Sequence, residues 1–152
     1  MKNIKKMLNE GWTGQVFSFV MAFAAAFVIY QGAGMALDTD LPIVAVQSNS
    51  MVPVFYKGDM LIIMGDDEPE IGDIVVYSID FQEVPIVHRI VQKEDDNSSF
   101  IFSTKGDNNQ YADPWPVSPE QVHGKVVFMI KYLGWPKILL SEALGAIGNG
   151  DL

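Results

Sequence analysis

The chain has 152 residues, 49% of them hydrophobic, with 10 lysines and arginines against 19 aspartates and glutamates, for a net charge of −9. It contains no cysteine, which excludes disulfides, thiolate metal sites and a cysteine nucleophile. The acidic balance argues against a nucleic-acid partner, because such partners need clustered cations.

The first element in the chain is an uncharged apolar segment. No formal charge occurs from residue 11 to residue 37, and a helix over Val16–Leu37 would span about 33 Å, enough to cross a bilayer core of about 30 Å. Lysines precede the segment, so the positive-inside rule predicts a cytoplasmic N-terminus and places everything after Leu37 outside. We therefore expect a cytoplasmic tail over residues 1–11 and a single transmembrane anchor over residues 12–37. The lysines are Lys2, Lys5 and Lys6.

A cleavable signal peptide is the competing interpretation of this segment. Gly34-Met35-Ala36 has the small-x-small form of a cleavage site. The uncharged stretch, however, is much longer than the apolar region of about 7–15 residues in a signal peptide. Its length therefore favours an anchor.

Residues 38–131 have the pattern of a small antiparallel, barrel-like β-domain, so the predicted fold class is mainly β. Six runs rich in β-branched residues are separated by turn sequences, with no long amphipathic helix between them. A capping box over Ser118–Gln121 predicts one short helical turn, and His123 is expected on an exposed loop. The six runs are Pro42–Gln47, Met60–Met64, Asp73–Asp80, Pro85–Val91, Ser99–Thr104 and Lys125–Ile130.

The C-terminal segment, residues 132–152, is expected to be membrane-proximal and to contain a short helix. Leu140, Leu144 and Ile147 recur at helical spacing within Lys137–Gly148. This helix is too short and too charged to span a bilayer. It lies either at the membrane interface or against the β-domain, and the sequence favours neither alternative.

Serine, histidine and aspartate are the residues left to carry chemistry. The chain has two histidines and none of the common zinc-protease, phosphate-loop or calcium-loop motifs, so we expect neither a metal site nor a cofactor. Ser50 follows an apolar strand and lies on a turn, which is where a nucleophilic hydroxyl is needed. His88 is the candidate general base. The long polar segment 106–121 carries Asp107 and Asp113, and a carboxylate there can orient the histidine.

Four motifs, in this order and spacing, resemble those of the type I signal peptidases. The commonest bacterial members have lysine directly before the arginine of the third motif, whereas this chain has His88 before Arg89. That choice resembles the histidine branch, which includes archaeal, endoplasmic-reticulum and sporulation-type members. The motifs are Ser48-Asn49-Ser50-Met51-Val52-Pro53, Gly72-Asp73-Ile74-Val75-Val76-Tyr77, Val87-His88-Arg89-Ile90-Val91, and Lys105-Gly106-Asp107-Asn108-Asn109 with Asp113 beyond it.

The resemblance implies a membrane-anchored serine endopeptidase that removes signal peptides from secreted or membrane preproteins. Ser50 matches the nucleophile of the family, and His88 matches the general base. Asp113 matches the aspartate that orients the histidine, and Asp107 matches a supporting one. Ser48 matches the serine whose hydroxyl joins the backbone N–H of Ser50 in the oxyanion hole.

Three further expectations concern the Ser50 turn, the binding of substrate and the distance of the site from the membrane. Asn49 replaces the glycine often found at that position. Substrate is expected to bind as an added β-strand beside the segment before Ser50 and around Val84–Val87. The chain from Leu37 to Ser50 reaches at most about 45 Å, which predicts a site near the outer surface of the membrane.

The implied partners are preprotein signal peptides and a lipid bilayer. The bilayer is the cell membrane or, in a eukaryote, the membrane of the endoplasmic reticulum. No residue of the sequence requires or excludes accessory subunits.

Two alternative functions remain open. A self-cleaving membrane-bound regulator on the same scaffold would need a scissile loop in its own chain, and no convincing one is seen. A non-catalytic anchored binding domain would use Ser50 and His88 only structurally. Cleavage of an added precursor that is lost in Ser50→Ala distinguishes the peptidase from both.

Overall fold

The structure is a computed structural model that describes residues 12–66, 68–96 and 99–148 and divides into two compact units at Ala36. Among the described residues, the first unit contains the helix α1 (Trp12–Ala36), of 25 residues. It is about 37 Å long, and nearly all of its side chains are exposed and apolar. α1 is therefore long and apolar enough to cross a membrane, as the sequence predicts. The predicted tail, residues 1–11, lies outside the described residues.

The second unit is mainly β, with six strands in one sheet and antiparallel pairing throughout. A 3₁₀ turn over Pro119–Gln121 precedes the last strand, and a short helix, α2 (Trp135–Gly148), follows it. The predicted fold class is thus confirmed. The strands are β1 (Ile43–Ala45), β2 (Met60–Met64), β3 (Ile74–Tyr77), β4 (Ile86–Asp96), β5 (Ser99–Lys105) and β6 (Val122–Ile130).

β3 lies inside the sheet, whose strand order is β1-β2-β6-β3-β4-β5. Successive side chains of a strand point to opposite faces, so Val76 packs in one buried cluster while Val75 and Tyr77 pack in another. Burial on both faces explains why β3 is a continuous apolar run. The first cluster contains Val44, Val46, Met51, Phe55, Leu61, Ile63 and Val76, and the second contains Val75, Tyr77, Ile79, Ile90, Phe102 and Val117.

β4 is longer than the run Pro85–Val91 that predicts it. It continues to Asp96 because it pairs with β5 from Arg89–Lys105 to Asp96–Ser99. The backbone ladder forms there although the sequence is polar, so the predicted end of this strand at Val91 is wrong.

β6 begins three residues before its predicted start, at Val122 rather than Lys125. His123 therefore lies on a strand and is half-buried, and the expectation of an exposed loop at this position is wrong. Its imidazole is hydrogen-bonded on both nitrogens, to Asp40 and to Ser78.

The first residues of α2 pack on the β-domain. The Trp135 ring covers Gly58, where a Cβ atom would overlap the indole, and Ile138 is buried. The Lys57 ammonium forms an ion pair of 2.8 Å with Glu142. Three leucines further along the helix are largely exposed, so most of its apolar surface is not covered by the described residues. They are Leu139, Leu140 and Leu144.

Candidate active site

Ser50 lies on a tight turn that follows β1. The carbonyl of the buried Met51 accepts two later backbone N–H groups, at 2.8 and 3.0 Å. The Asn49 side chain accepts the Lys57 N–H at 3.1 Å, which closes the turn. Ser50 is half-buried, and its side chain lines a cleft.

Ser48 places a hydroxyl beside Ser50. Its Oγ lies 3.1 Å from Ser50 Oγ and 3.5 Å from Ser50 N. The second distance is at the limit of a hydrogen bond, so this contact leaves the Ser50 N–H available to a better acceptor. An O–H and an N–H thus converge beside the Ser50 hydroxyl, which is the donor arrangement that a developing oxyanion requires.

His88 is buried on β4 and is held by one aspartate. Its Nδ1 lies 2.6 Å from Asp113 Oδ2, and the two side chains are 9% and 7% exposed. The bond uses Nδ1 and leaves Nε2 for another partner. The structure thus brings Asp113, and not Asp107, to the imidazole.

Asp113 receives two further hydrogen bonds that the sequence did not suggest. Tyr77 Oη donates to its Oδ2 at 2.9 Å, and Thr104 Oγ1 donates to the same atom at 2.6 Å. Burial would raise the pKa of Asp113, but the hydrogen bonds from His88 and Thr104, with the charge of His88, outweigh burial and lower it. Burial raises the pKa of Tyr77 to about 12, so its hydroxyl keeps its proton.

Asp107 binds the residue that follows His88. Arg89 Nε and Nη2 donate to its two carboxylate oxygens at 2.8 and 2.6 Å, and Arg89 Nη1 donates to the Gly72 carbonyl at 2.7 Å. The Arg89 hydrogen bonds lower the pKa of Asp107. Because neighbouring residues of a strand point to opposite faces, β4 holds one aspartate of the 106–121 segment on each side.

The segment 106–121 also contacts the Ser50 backbone. The Ser50 carbonyl accepts the Asn108 N–H at 2.8 Å. A Cβ atom on Gly106 would lie 2.7 Å from the same carbonyl oxygen, so only glycine fits without a shift. The segment that carries Asp113 is therefore packed directly against the Ser50 turn.

A cleft of about 440 Å³ joins these residues. Ser50, His88 and Asp113 all line it, but the Ser50 hydroxyl is hydrogen-bonded to Ser48, and no described bond joins it to His88. Hydrogen bonds of a catalytic group are often completed only when substrate binds. The remaining lining residues include Ala45–Ser48 on one wall, Val84–Val87 on the other, and Met51, Asn109 and Trp115.

A second serine–histidine–aspartate chain lies outside this cleft. Ser78 Oγ is 2.7 Å from His123 Nε2, and His123 Nδ1 is 2.8 Å from Asp40 Oδ1. The Ser78 N–H donates to the Gln121 carbonyl at 3.0 Å, so it cannot serve an oxyanion. Thr39 Oγ1 also donates to the His123 carbonyl at 2.6 Å. We interpret this chain as a structural tie between the segment after α1 and the sheet.

Metal chemistry has no support in the part of the chain that the structure describes. No group of three or more histidine, aspartate or glutamate side chains within residues 12–66, 68–96 and 99–148 is arranged to hold a metal ion.

Comparison with known proteins identifies relatives over most of the chain. Residues 23–127 match the family described as Peptidase S24-like. The signal peptidase complex catalytic subunit SEC11 of Colletotrichum graminicola is 38% identical over 138 residues, which cover 84% of this chain and 80% of that protein. SEC11 of Scheffersomyces stipitis is 35% identical over 149 residues, which cover 92% and 87%. The resemblance seen in the motifs thus extends along the sequence, and the chain belongs to the Peptidase S24-like family, in the histidine branch of the signal peptidases.

Proposed function

We propose that this peptidase is a membrane-anchored serine endopeptidase that removes signal peptides from preproteins at the outer face of the membrane. The observation that carries the proposal is the cleft, in which the His88–Asp113 pair and the Ser50 hydroxyl lie together. A serine hydroxyl is a weak nucleophile at neutral pH and needs a base that is itself oriented. Asp113 on Nδ1 supplies that orientation and leaves Nε2 to accept a proton.

The acylation step follows from these positions. Nε2 of His88 takes the hydroxyl proton as Ser50 Oγ bonds to the scissile carbonyl carbon. The resulting oxyanion accepts hydrogen bonds from the Ser50 N–H and the Ser48 hydroxyl. When the C–N bond breaks, the imidazolium returns its proton to the leaving amine.

Deacylation repeats these roles with water. His88 takes a proton from the water that attacks the acyl ester, and it then protonates Ser50 Oγ as the signal peptide leaves with a free carboxylate. During both steps the charge of Asp113 stabilises the imidazolium. Asp107 contacts Arg89 instead, so we assign it a supporting role.

One wall of the cleft supports binding of substrate as a strand. Val46 donates its N–H to the Asp59 carbonyl and accepts the Gly58 N–H, both at 2.9 Å, so its backbone faces the residues just before β2. Backbone groups alternate in direction along a strand, so those of Ala45 and Gln47 face the cleft. They are the groups that pair with an added strand.

The opposite wall offers a second open edge. Ile90 exchanges backbone hydrogen bonds of 2.9 Å with Asp73 and Gly72, on the β3 side of β4. By alternation the backbone of Val87 faces the other way. Pairing with β5 begins only at Arg89, so β5 does not cover Val87. An extended substrate can therefore pair with both walls while its scissile bond lies at Ser50.

The remaining part of the proposal concerns the membrane and the partners of the chain. The lysines before α1 support a cytoplasmic N-terminus with the β-domain outside. We also propose that α2 lies at the membrane interface, since Leu139, Leu140 and Leu144 are exposed while Ile138 faces the β-domain. SEC11 is named as a subunit of a signal peptidase complex, and by analogy accessory subunits are proposed as partners of this chain.

The test is cleavage by the full chain in lipid nanodiscs. The substrate is a synthetic preprotein with an apolar segment and small residues one and three positions before the expected cut, as the family resemblance implies. The wild-type chain should produce two fragments that mass spectrometry assigns to a single cleaved bond. Ser50→Ala should leave only background cleavage, about 10⁶-fold below wild type.

Ser78→Ala is the matched control, because this serine also contacts a histidine but lies outside the cleft. It should cleave within about twofold of wild type. A folded wild-type chain that does not cut the precursor, alone or with a membrane extract that supplies accessory subunits, would support a non-catalytic binding domain. Cleavage of the chain itself, with no cleavage of the precursor, would support a self-cleaving regulator. Either result overturns the proposal.

A further inference from the structure

The Asp113 carboxylate is hydrogen-bonded by more than the catalytic histidine. We propose that Tyr77 and Thr104 are positioning residues that fix the direction and basicity of this carboxylate for His88. The inference rests on the proposed function, because it assigns roles in the same proton transfer. It concerns residues outside the motif positions that match catalytic residues in the family.

The sheet places the side chains of Tyr77, Thr104 and His88 on one face. Tyr77 pairs with Ile86, and Thr104 pairs with Ile90. Paired residues lie on the same face, and Ile86, His88 and Ile90 alternate onto one side of β4. Tyr77 on β3 and Thr104 on β5 therefore lie on either side of His88.

The 106–121 segment then lays Asp113 across these residues. The Asp113 N–H donates to the Thr104 carbonyl at 2.8 Å, which fixes its backbone. Its Oδ2 accepts from Tyr77 Oη at 2.9 Å, from Thr104 Oγ1 at 2.6 Å and from His88 Nδ1 at 2.6 Å. Tyr77 and Thr104 are fully buried, so water does not compete with these bonds.

The hydroxyl protons must be assigned to acceptors. Thr104 Oγ1 lies 3.0 Å from Tyr77 Oη as well as 2.6 Å from Asp113. A charged acceptor forms the shorter and stronger bond, so both hydroxyl protons point to the carboxylate. The Tyr77 oxygen then accepts the Trp115 indole N–H at 3.4 Å. This assignment gives each of the two hydroxyls a separate bond to Asp113.

Two consequences for catalysis follow from this arrangement. Three donors on one oxygen keep the carboxylate from rotating, and they also reduce its affinity for a proton. Without the hydroxyls, the carboxylate would attract the imidazolium more strongly, and a higher pH would be needed to free the base. The charge of His88 also interacts with that of Asp107, and neither Asp107 nor its neighbours Arg89 and Lys105 change in the variants below.

The experiment compares Tyr77→Phe, Thr104→Val and the double variant in the full chain in nanodiscs, using kcat and KM against pH. Each single variant should lower kcat about tenfold with little change in KM, since the Asp113 carboxylate loses a bond that holds it in the direction of His88. The acidic limb of the pH–rate profile should move to higher pH. Thr104→Ser keeps the hydroxyl and should restore both the rate and the limb.

A spectroscopic measurement does not depend on turnover. In a Ser50→Ala background, the proton between His88 Nδ1 and Asp113 should give a downfield ¹H signal. Adding Tyr77→Phe should shift it, because the carboxylate regains basicity. Ser78→Ala, which removes a serine hydroxyl outside this network, should leave the signal unchanged. If Thr104→Val does not fold, Tyr77→Phe, which keeps the ring volume, decides the question.

The outcomes separate the inference from the proposed function. If Tyr77→Phe and Thr104→Val lower only the melting temperature, leaving kcat, the acidic limb and the ¹H signal unchanged, the two residues serve packing and the inference is wrong. If Ser50→Ala still cleaves, the proposed function itself fails. A dead Ser50→Ala variant beside fully active Tyr77 and Thr104 variants rejects the inference alone.

Discussion

Asp113→Asn is expected to remove the charge of the site while keeping its geometry. Three donors meet at Oδ2, from Tyr77, Thr104 and His88. In the variant they favour the amide oxygen at that position and direct the amide NH₂ to the place of Oδ1. His88 then still donates from Nδ1, so the productive tautomer persists. Only the attraction between carboxylate and imidazolium is lost.

The size of that attraction follows from the geometry. The Nδ1–Oδ2 distance of 2.6 Å corresponds to charge centres about 4 Å apart, and with an effective dielectric constant of about 20 their attraction is about 4 kcal/mol. Both side chains are less than a tenth exposed, so solvent screening takes little from this value. Losing it in the transition state should lower kcat about 10³-fold. A variant that also adopted the wrong tautomer would lose about 10⁴-fold.

Single-turnover cleavage of the synthetic preprotein at the pH optimum of wild type provides the rate, and ¹⁵N chemical shifts of His88 report the tautomer. We expect a loss near 10³-fold with Nδ1 still protonated. A loss below tenfold would refute the electrostatic argument, and protonated Nε2 would refute the argument from the three donors. If Asp107→Asn were inactive while Asp113→Asn stayed active, the assigned roles of the two aspartates would have to be exchanged.

Three further substitutions test the surroundings of the site. Arg89 lowers the pKa of Asp107 in the folded state below its value of about 4 in the unfolded chain. The stabilisation from this pair is therefore complete above about pH 4, and it is lost as pH falls through the lowered pKa of the folded state. Asp107→Asn should therefore lower the free energy of unfolding by about 1 kcal/mol at neutral pH and flatten the acid side of a plot of melting temperature against pH. An unchanged slope on the acid side would contradict this. His123→Ala should lower the free energy of unfolding in urea by about 1–2 kcal/mol, because two hydrogen bonds are lost, and it should leave kcat unchanged. An unchanged free energy of unfolding would mean that the Ser78–His123–Asp40 chain does not stabilise the fold. Gly106→Ala should lower kcat about 10- to 100-fold by displacing the Ser50 backbone, and wild-type turnover would show that the 106–121 segment yields to the added methyl group.

The strands were predictable because their signal is local. Each strand has β-branched residues next to a turn sequence, and five of the six begin within one residue of the predicted start. The polar half of β4 was not predictable in this way, because its side chains lack the apolar pattern. Pairing with β5 forms it, and this pairing depends on the backbone rather than on residue type.

Only those residues of the candidate site that stand at catalytic positions of the motifs could be predicted from the sequence. Ser50, His88 and Asp113 stand in short runs that resemble a family, and the structure brings them to one cleft. Tyr77 stands in such a run as well, but nothing local distinguishes a tyrosine that donates to a carboxylate from one that fills a core. Thr104 has even less signal, because its contact with Asp113 depends on the pairing of β5 with β4 and on the path of a loop.

The adjacent residues His88 and Arg89 bind the same loop from opposite faces of β4, through Asp113 and Asp107. These two contacts set the length that the loop must have. Residues 108–112 must span the distance from the Arg89 side to the His88 side, because Asp107 and Asp113 are both fixed. An inserted or deleted residue in this span would leave at most one aspartate in register. The number of residues between the two carboxylates is therefore as much a part of the candidate active site as the carboxylates themselves, and a chain that keeps both aspartates but changes their spacing should lose the proposed activity.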